Sequence, residues 1–451
     1  MLQKLSKHPL IAGSFLLTLT GLVSRFIGFF YRIYMSRVFG EEGMGVYQLI
    51  GPVMALAFSL TAAGFQTAIS KFVAETTWTT NRKEFFVSPK PFYMGLSISL
   101  PLSAFTMFFL LHFSETLAIE WLNEPRTAPL LRILALSIPL SALHACINGY
   151  FYGKKQASIP AICQIIEQCF RVLAVWLTVQ QYLSRGNMPP LQITVFGILI
   201  GELFSTLVNI FFFFYSMQKQ ETQPETSPCT LRYSALLLMV IPLIANRVTL
   251  NALLSLETIS LPSMLKVYGY DHATALSVYG VLTGMAFPLI FFPNAVTGSI
   301  AVLLLPLISE QTALGNTKEV RKLTGKVIQY CSLLGFSCMA VFLMSGKFLG
   351  NFLFQSELAG IYITALSFIC PFLYLNNTLS AILQGMGKVI TLFAINVSAL
   401  LLRLAFIYHF VPIHGMKGYL WGLLVAQIYT CAIYLFIISH KKKLARQTLK
   451  W

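Results

Sequence analysis

IAGSFLLTLTGLVSRFIGFFYRIYMSRV, residues Ile11 to Val38, is long and apolar, yet it carries arginines in its middle. A helix that crosses a bilayer needs about 20 such residues. At 100° per residue, Ser14, Gly21, Arg25, Gly28 and Arg32 fall within a wedge of roughly 60° on one face. The other faces are Leu, Phe, Ile and Val, which suit lipid or neighbouring helices. A guanidinium near mid-membrane is costly unless it meets a wet cavity or a partner. Small residues beside it leave room for something bulky. This face is therefore expected to line a hydrated path for an anionic substrate.

The rest of the chain agrees with a membrane reading. Its 451 residues are 56% hydrophobic and only 11% charged, with a mean hydropathy of +0.71. Ordinary soluble domains carry roughly 25% charged residues. The net charge of +16 does not point to nucleic acid, because lysines and arginines gather in short loops and at the ends. The eight cysteines are scattered and form no CxxC or Cys/His cluster, so neither a disulfide framework nor a metal site is expected. Hydropathy predicts twelve spans over 10–36, 45–70, 91–112, 127–150, 157–180, 191–216, 233–255, 275–306, 324–346, 358–382, 388–410 and 416–438. Basic loops alternate with loops poor in Lys and Arg, which predicts a multi-pass cell-membrane protein with both termini in the cytoplasm.

The polar segment QKQETQPETSPCTLR, Gln218–Arg232, follows six spans and precedes six. It divides the chain into an N-terminal lobe (1–217), a cytoplasmic linker (218–232), a C-terminal lobe (233–439) and a basic tail (440–451). An internal repeat supports two related lobes. Pro139, Gly153 and Arg171 recur as Pro371, Gly385 and Arg403, each displaced by 232 residues. Six spans being an even number, the halves share one orientation, a plan known among transporters.

Polar residues inside the spans are the candidate substrate-binding set. Gln164, Glu167, Gln168 and Arg171 stand at i, i+3, i+4 and i+7 of the fifth span, so Glu167 can pair with Arg171. Structural glue between helices is the competing role for that stripe. In the sixth span Gly197 and Gly201 form a helix-packing motif, and Glu202 must be ion-paired or protonated. A bridge to Arg171 and a proton-carrying role are both open to it. The seventh span presents Asn246, Arg247, Asn251 and Glu257, and Arg247 is the expected counterpart of Arg25 across a central cavity. Arg403 has no acid in its own span and must find a partner elsewhere. Arg32 is a candidate for the outer rim or a membrane anchor. His144, well inside a span, is assigned to helix packing. Pro288, Pro293 and Asn294 predict a break in the eighth span. No phosphate-binding loop, HExxH or GxSxG occurs, so no catalytic residue, bound cofactor or enzyme activity is expected.

Several ordered blocks carry a family likeness. GLVSRFIGFFYRIYMSRVFGEEGMGVYQLIGP (Gly21–Pro52), AISKFVAE (Ala68–Glu75), GYFYGKKQ (Gly149–Gln156), IEQCFRV (Ile166–Val172) and YGVLTGMAFPLIFFPNAVTGSIAVLLLPLISE (Tyr279–Glu310) resemble the stage V sporulation protein B family. That family lies in the polysaccharide-transporter branch of the MOP flippase superfamily, beside multidrug exporters and lipid II flippases. The resemblance implies an all-α fold of two six-helix bundles around a V-shaped cavity, working by alternating access. It implies a lipid-linked oligosaccharide as cargo, an undecaprenyl-diphosphate peptidoglycan precursor for the spore cortex of a spore-forming bacterium. Arg25, in Ser-Arg-x-x-Gly, aligns with a cavity arginine of the flippases. Membrane lipids, a coupling ion (H+ or Na+) or the membrane potential, and cell-wall synthesis proteins are the further partners to expect. A cation-coupled multidrug exporter, an integral-membrane glycosyltransferase or ligase, and a non-transporting scaffold of cell-wall synthesis are the alternatives. Arginines in place of cavity carboxylates argue against the exporter, and short outer loops argue against the transferase.

Overall fold

The computed structural model of the protein describes the backbone of residues 9–75, 77–80, 84–218 and 232–447, and side chains over 19–75, 88–218 and 232–439. The expected linker therefore lies, except for its end residues, outside the described residues. So do Lys4, Lys7, Arg82 and Lys83 of the expected inner loops. Among the described residues, 12 helical stretches are long and apolar enough to cross a membrane. Leu19–Glu75 holds the first two expected spans and is broken at Gly40, whose φ of 69° no longer fits a helix. The eighth span is two pieces, His272–Phe291 and Asn294–Ala313, parted where the sequence places Pro293. Among the described residues the fold is all-α apart from one antiparallel hairpin, Thr77–Thr80 with Glu84–Val87, which hydropathy did not anticipate.

Most spans run longer than the hydropathy windows. The third extends over Lys90–Trp121 and the ninth over Thr317–Phe354, each ending in a π-helical turn (Leu117–Trp121 and Gly350–Phe354). The first helix continues past 36, because no proline or glycine stands between 36 and Gly40.

Packing divides the described chain into two compact units. Unit 1 holds the residues up to Tyr31 together with Leu49–Ala252. Unit 2 holds Arg32–Gln48 together with Leu253 onward. By packing, then, the turn between the first two spans goes with the second half, and the front of the seventh span goes with the first half. Arg37 shows how unit 2 holds that turn: its guanidinium donates to the carbonyls of Leu353 (2.8 Å) and Phe352 (2.6 Å) at the end of the ninth span. Asn251 ties the seventh span into unit 1 by donating to Ser59 Oγ at 2.5 Å.

Each unit is built round its own apolar cluster. Phe65, Ile69, Phe92, Ile147, Tyr150 and Phe213 pack in unit 1, and Ile308, Leu379, Ile382, Leu392 and Tyr434 in unit 2. The repeat reappears in the packing. Gly153 closes the fourth span against Val73, and Gly385 closes the tenth against Ile308.

The fifth and sixth spans, Ser158–Ser184 and Gln192–Gln218, approach through the expected glycine motif. A Cβ on Gly201 would lie 2.6 Å from the Glu167 carbonyl oxygen, which is backbone and cannot give way. Gly201→Ala is expected to force these helices apart at a cost of about 1–3 kcal/mol, the range for overpacking. Thermal unfolding in detergent checks this; an unchanged midpoint would show that the contact is loose.

Candidate functional site

The polar stripe of the fifth span faces the sixth, and this brings together four of the ionisable side chains of unit 1. Arg171 forms its ion pair with Glu167 one turn earlier, as the i, i+4 spacing predicts. Glu202 does not bridge to Arg171. Its carboxylate lies 3.2 Å from Nδ1 of His144 on the fourth span, and both side chains are 10% exposed. Ser205, one turn after Glu202, donates to the Cys163 carbonyl (3.1 Å) and lies 3.4 Å from the same imidazole nitrogen. His144 is thus part of a polar cluster as well as of the helix packing. Its signal was only an ionisable side chain deep inside a span, and its partner stands on another helix.

One donor atom from each of His144, Glu167 and Glu202 falls within 4.8 Å of the others. Such a trio could in principle hold a cation, although metal was not expected. Arg171 already occupies Glu167, so two carboxylates face one guanidinium and an imidazole. With the imidazole neutral the cluster carries one net negative charge; with a proton on Nδ1, between His144 and Glu202, it is neutral. Burial strongly favours the neutral form. Sodium, a hard cation, would gain little from an imidazole ligand.

Unit 2 answers the question that Arg403 posed. Its guanidinium pairs with Glu257 of the seventh span, and Tyr419 of the twelfth donates to the same carboxylate oxygen at 2.5 Å. Arg403 also reaches the Tyr419 hydroxyl at 3.3 Å. Glu257 is 4% exposed, so these two candidate residues form a buried network, with Glu257 Oε2 and Arg403 Nε left without a partner among the described residues. A second polar knot sits at the break of the eighth span. Asn377 donates to Asn294 Oδ1 (3.1 Å) and Thr297 Oγ1 (3.2 Å), and Thr297 donates to Asn294 at 2.6 Å. Asn377 and Thr297 were not among the expected residues.

The two arginines of greatest interest stand apart from these networks. Arg25 lies about midway between Pro9 and Gly40, and Arg247 lies well inside Tyr233–Tyr268. Both side chains are exposed, and neither makes a hydrogen bond or ion pair among the described residues. Both belong to unit 1. Arg32, which packs with unit 2, is half-buried. Of the remaining candidates, Gln164 is exposed and Gln168 half-buried, while Asn246 keeps a buried side-chain oxygen without a partner among the described residues.

Comparison with known proteins bears on what this arrangement serves. The family model described as polysaccharide biosynthesis protein matches residues 10–312, and the MatE model matches residues 255–409. Stage V sporulation protein B of Bacillus subtilis (strain 168) is 26% identical over 391 residues, which are 85% of this chain and 74% of that one. Lipid II flippase MurJ of the same organism is 23% identical over 84% of this chain and 73% of its own. Among solved structures, lipid II flippase MurJ in an inward closed conformation superposes with a TM-score of 0.70 at 15% identity, covering 94% of this chain and 87% of that one. The inward-facing conformation of a multidrug resistance MATE family transporter of the MOP superfamily gives 0.66 at 15% identity, covering 93% and 96%. The twelve-span fold is that of these transporters.

Proposed function

Because the chain belongs to the polysaccharide biosynthesis protein family, we propose that it is a transporter rather than an enzyme, and that it moves a lipid-linked oligosaccharide across the cytoplasmic membrane. The cargo we assign is an undecaprenyl-diphosphate peptidoglycan precursor used for the spore cortex. Transport proceeds by alternating access between two six-span lobes, residues 1–217 and 233–439, joined through the cytoplasmic 218–232 linker, with both termini in the cytoplasm. The observation that carries this reading is the pair of exposed, unpaired arginines inside spans, Arg25 and Arg247. A membrane guanidinium without an acid partner must meet water or an anion. Arginine meets a diphosphate bidentately, which lysine does not. Gln164 and Gln168 offer a polar surface for sugar, while the prenyl chain stays in lipid. Stage V sporulation protein B and the flippase relative support the same cargo class.

Selective binding tests the assignment. Purified protein is expected to bind an undecaprenyl diphosphate-linked sugar more tightly than undecaprenyl monophosphate, and ethidium least. Preference for ethidium would replace the reading with that of a cation exporter.

The His144–Glu202–Glu167 cluster is the place where we assign the coupling ion, a proton. A gradient of one pH unit supplies about 1.4 kcal/mol per proton, enough for roughly tenfold in a coupled step. Glu202→Gln cannot cycle that proton on its carboxylate. It is expected to remove the response of flux to an imposed pH gradient while cargo binding stays within about twofold, a difference worth little free energy. A pH response equal to that of the unsubstituted protein would show that the pair is static.

A further inference from the structure

We infer that unit 2 carries a pocket for an anionic phospholipid of the extracytoplasmic leaflet, walled by two aromatic ladders and selected by Lys417. A cavity of about 830 Å³ opens among the end of the seventh span, the tenth span and the hairpin joining the eleventh to the twelfth. Its size falls within the roughly 300–1,000 Å³ of sites that hold small organic ligands. Tyr268 and Tyr270 form one wall, edge to face at 5.2 Å. Phe406 and Phe410 form the other, stacked at 4.6 Å, with His414 continuing the stack at 6.5 Å. Gly415 makes this geometry possible. Its φ of 60° turns the hairpin, and a Cβ there would lie 2.8 Å from the Tyr268 ring.

Position and charge identify the occupant. The cavity sits at span ends, where aromatic side chains mark the level of lipid headgroups. The topology proposed above puts these ends on the extracytoplasmic side. Trp421 on the rim is 63% exposed, and below it Val425, Ile428 and Tyr429 continue an exposed apolar track along the twelfth span. That track suits an acyl chain. Lys417 lines the pocket, is exposed, and has no ion-pair or hydrogen-bond partner among the described residues. The acids nearest the lining in sequence or field are held by neutral donors rather than by Lys417. Asp271 accepts hydrogen bonds from the Thr274 hydroxyl and amide, which hold its carboxyl below the usual range. Glu41, within electrostatic reach of Tyr362, accepts from Ser356 at 2.5 Å. Neither acid lines the pocket, and Lys417 is the one Lys, Arg, Asp or Glu among its lining residues. Aromatic walls alone would welcome a quaternary ammonium, but the unpaired ammonium of Lys417 disfavours a cation and draws a lipid phosphate instead.

Native mass spectrometry of the full chain in detergent, titrated with dioleoyl phosphatidylglycerol or phosphatidylcholine, tests this. Phosphatidylglycerol is expected to bind about fivefold more tightly, the range of one partly exposed charge pair. Lys417→Gln should abolish that preference without altering phosphatidylcholine binding, and Trp421→Ala should weaken both lipids. The melting temperature of each variant without lipid verifies folding, and Lys71→Gln in unit 1 is expected to keep the full preference. Equal binding of the two lipids, or a preference that survives Lys417→Gln, would overturn the inference. So would full competition by inorganic phosphate, which would assign a free anion site, or a dimer that excludes both lipids, which would assign the face to a second copy.

Discussion

Arg25→Ala and Arg247→Ala are each expected to reduce translocation of a lipid-linked diphosphate to the level of empty vesicles, with membrane insertion unchanged. Both side chains are exposed inside spans and bind nothing else among the described residues, so their loss breaks no internal contact. A charge-assisted hydrogen bond is worth about 1.5–3 kcal/mol, and a bidentate contact makes two. Removing one such clamp therefore costs on the order of 100-fold or more in cargo engagement. Lysine substitutions are expected to recover a part of the flux, since they restore charge but not the two-pronged geometry. Flux measured in vesicles, normalised to reconstituted protein, reads all four variants. Full activity in both alanine variants would make these arginines structural.

The second large effect concerns stability. Glu257→Ala is expected to lower the unfolding free energy by about 3–5 kcal/mol, the cost of leaving a buried charge without its partner. The charge left behind is Arg403, held also by Tyr419 at 3.3 Å. Replacing both Glu257 and Arg403 by leucine should recover most of the loss, because an apolar pair carries no uncompensated charge. Tyr419→Phe removes only one hydroxyl from the network and should cost about 1–3 kcal/mol. Denaturation monitored in detergent orders these variants. A Glu257→Ala protein as stable as the parent would show that water or another group already satisfies Arg403.

How much of this was legible in the sequence follows the range of each interaction. Spacing along one helix was readable. The Glu167–Arg171 pair, the Gly197–Gly201 contact and the break at Pro293 all stand where periodicity and backbone chemistry put them. Arg403 was legible as a need, since its own span offers no acid, but not as a solution, since Glu257 comes from a helix far back in the chain. Glu202 and His144 failed in the same way: each lacks an ionisable partner on its own helix within a turn until the fourth and sixth spans pack.

Hydropathy also says nothing of which half a segment packs against. The allotment of Arg32–Gln48 to unit 2 rests on contacts such as Arg37 with the Phe352 and Leu353 carbonyls. No periodicity announces those. The hairpin at 77–87 escaped because its two four-residue strands are too short to stand out from a polar loop. The aromatic pocket of unit 2 escaped for a similar reason, its two ladders being drawn from separate spans.

Exposed Arg25 and Arg247, the His144–Glu202–Glu167 cluster and the family match support the proposed movement of a lipid-linked saccharide between leaflets. Vesicles containing the purified protein and an undecaprenyl-diphosphate sugar, labelled on the sugar and quenched from outside by an impermeant reagent, test it most directly. The protected label is expected to lose its protection with time, at a rate that rises with protein content and falls to background with Arg25→Ala. Protection equal to that of protein-free vesicles, for lipid II and for related undecaprenyl-linked sugars alike, would contradict it.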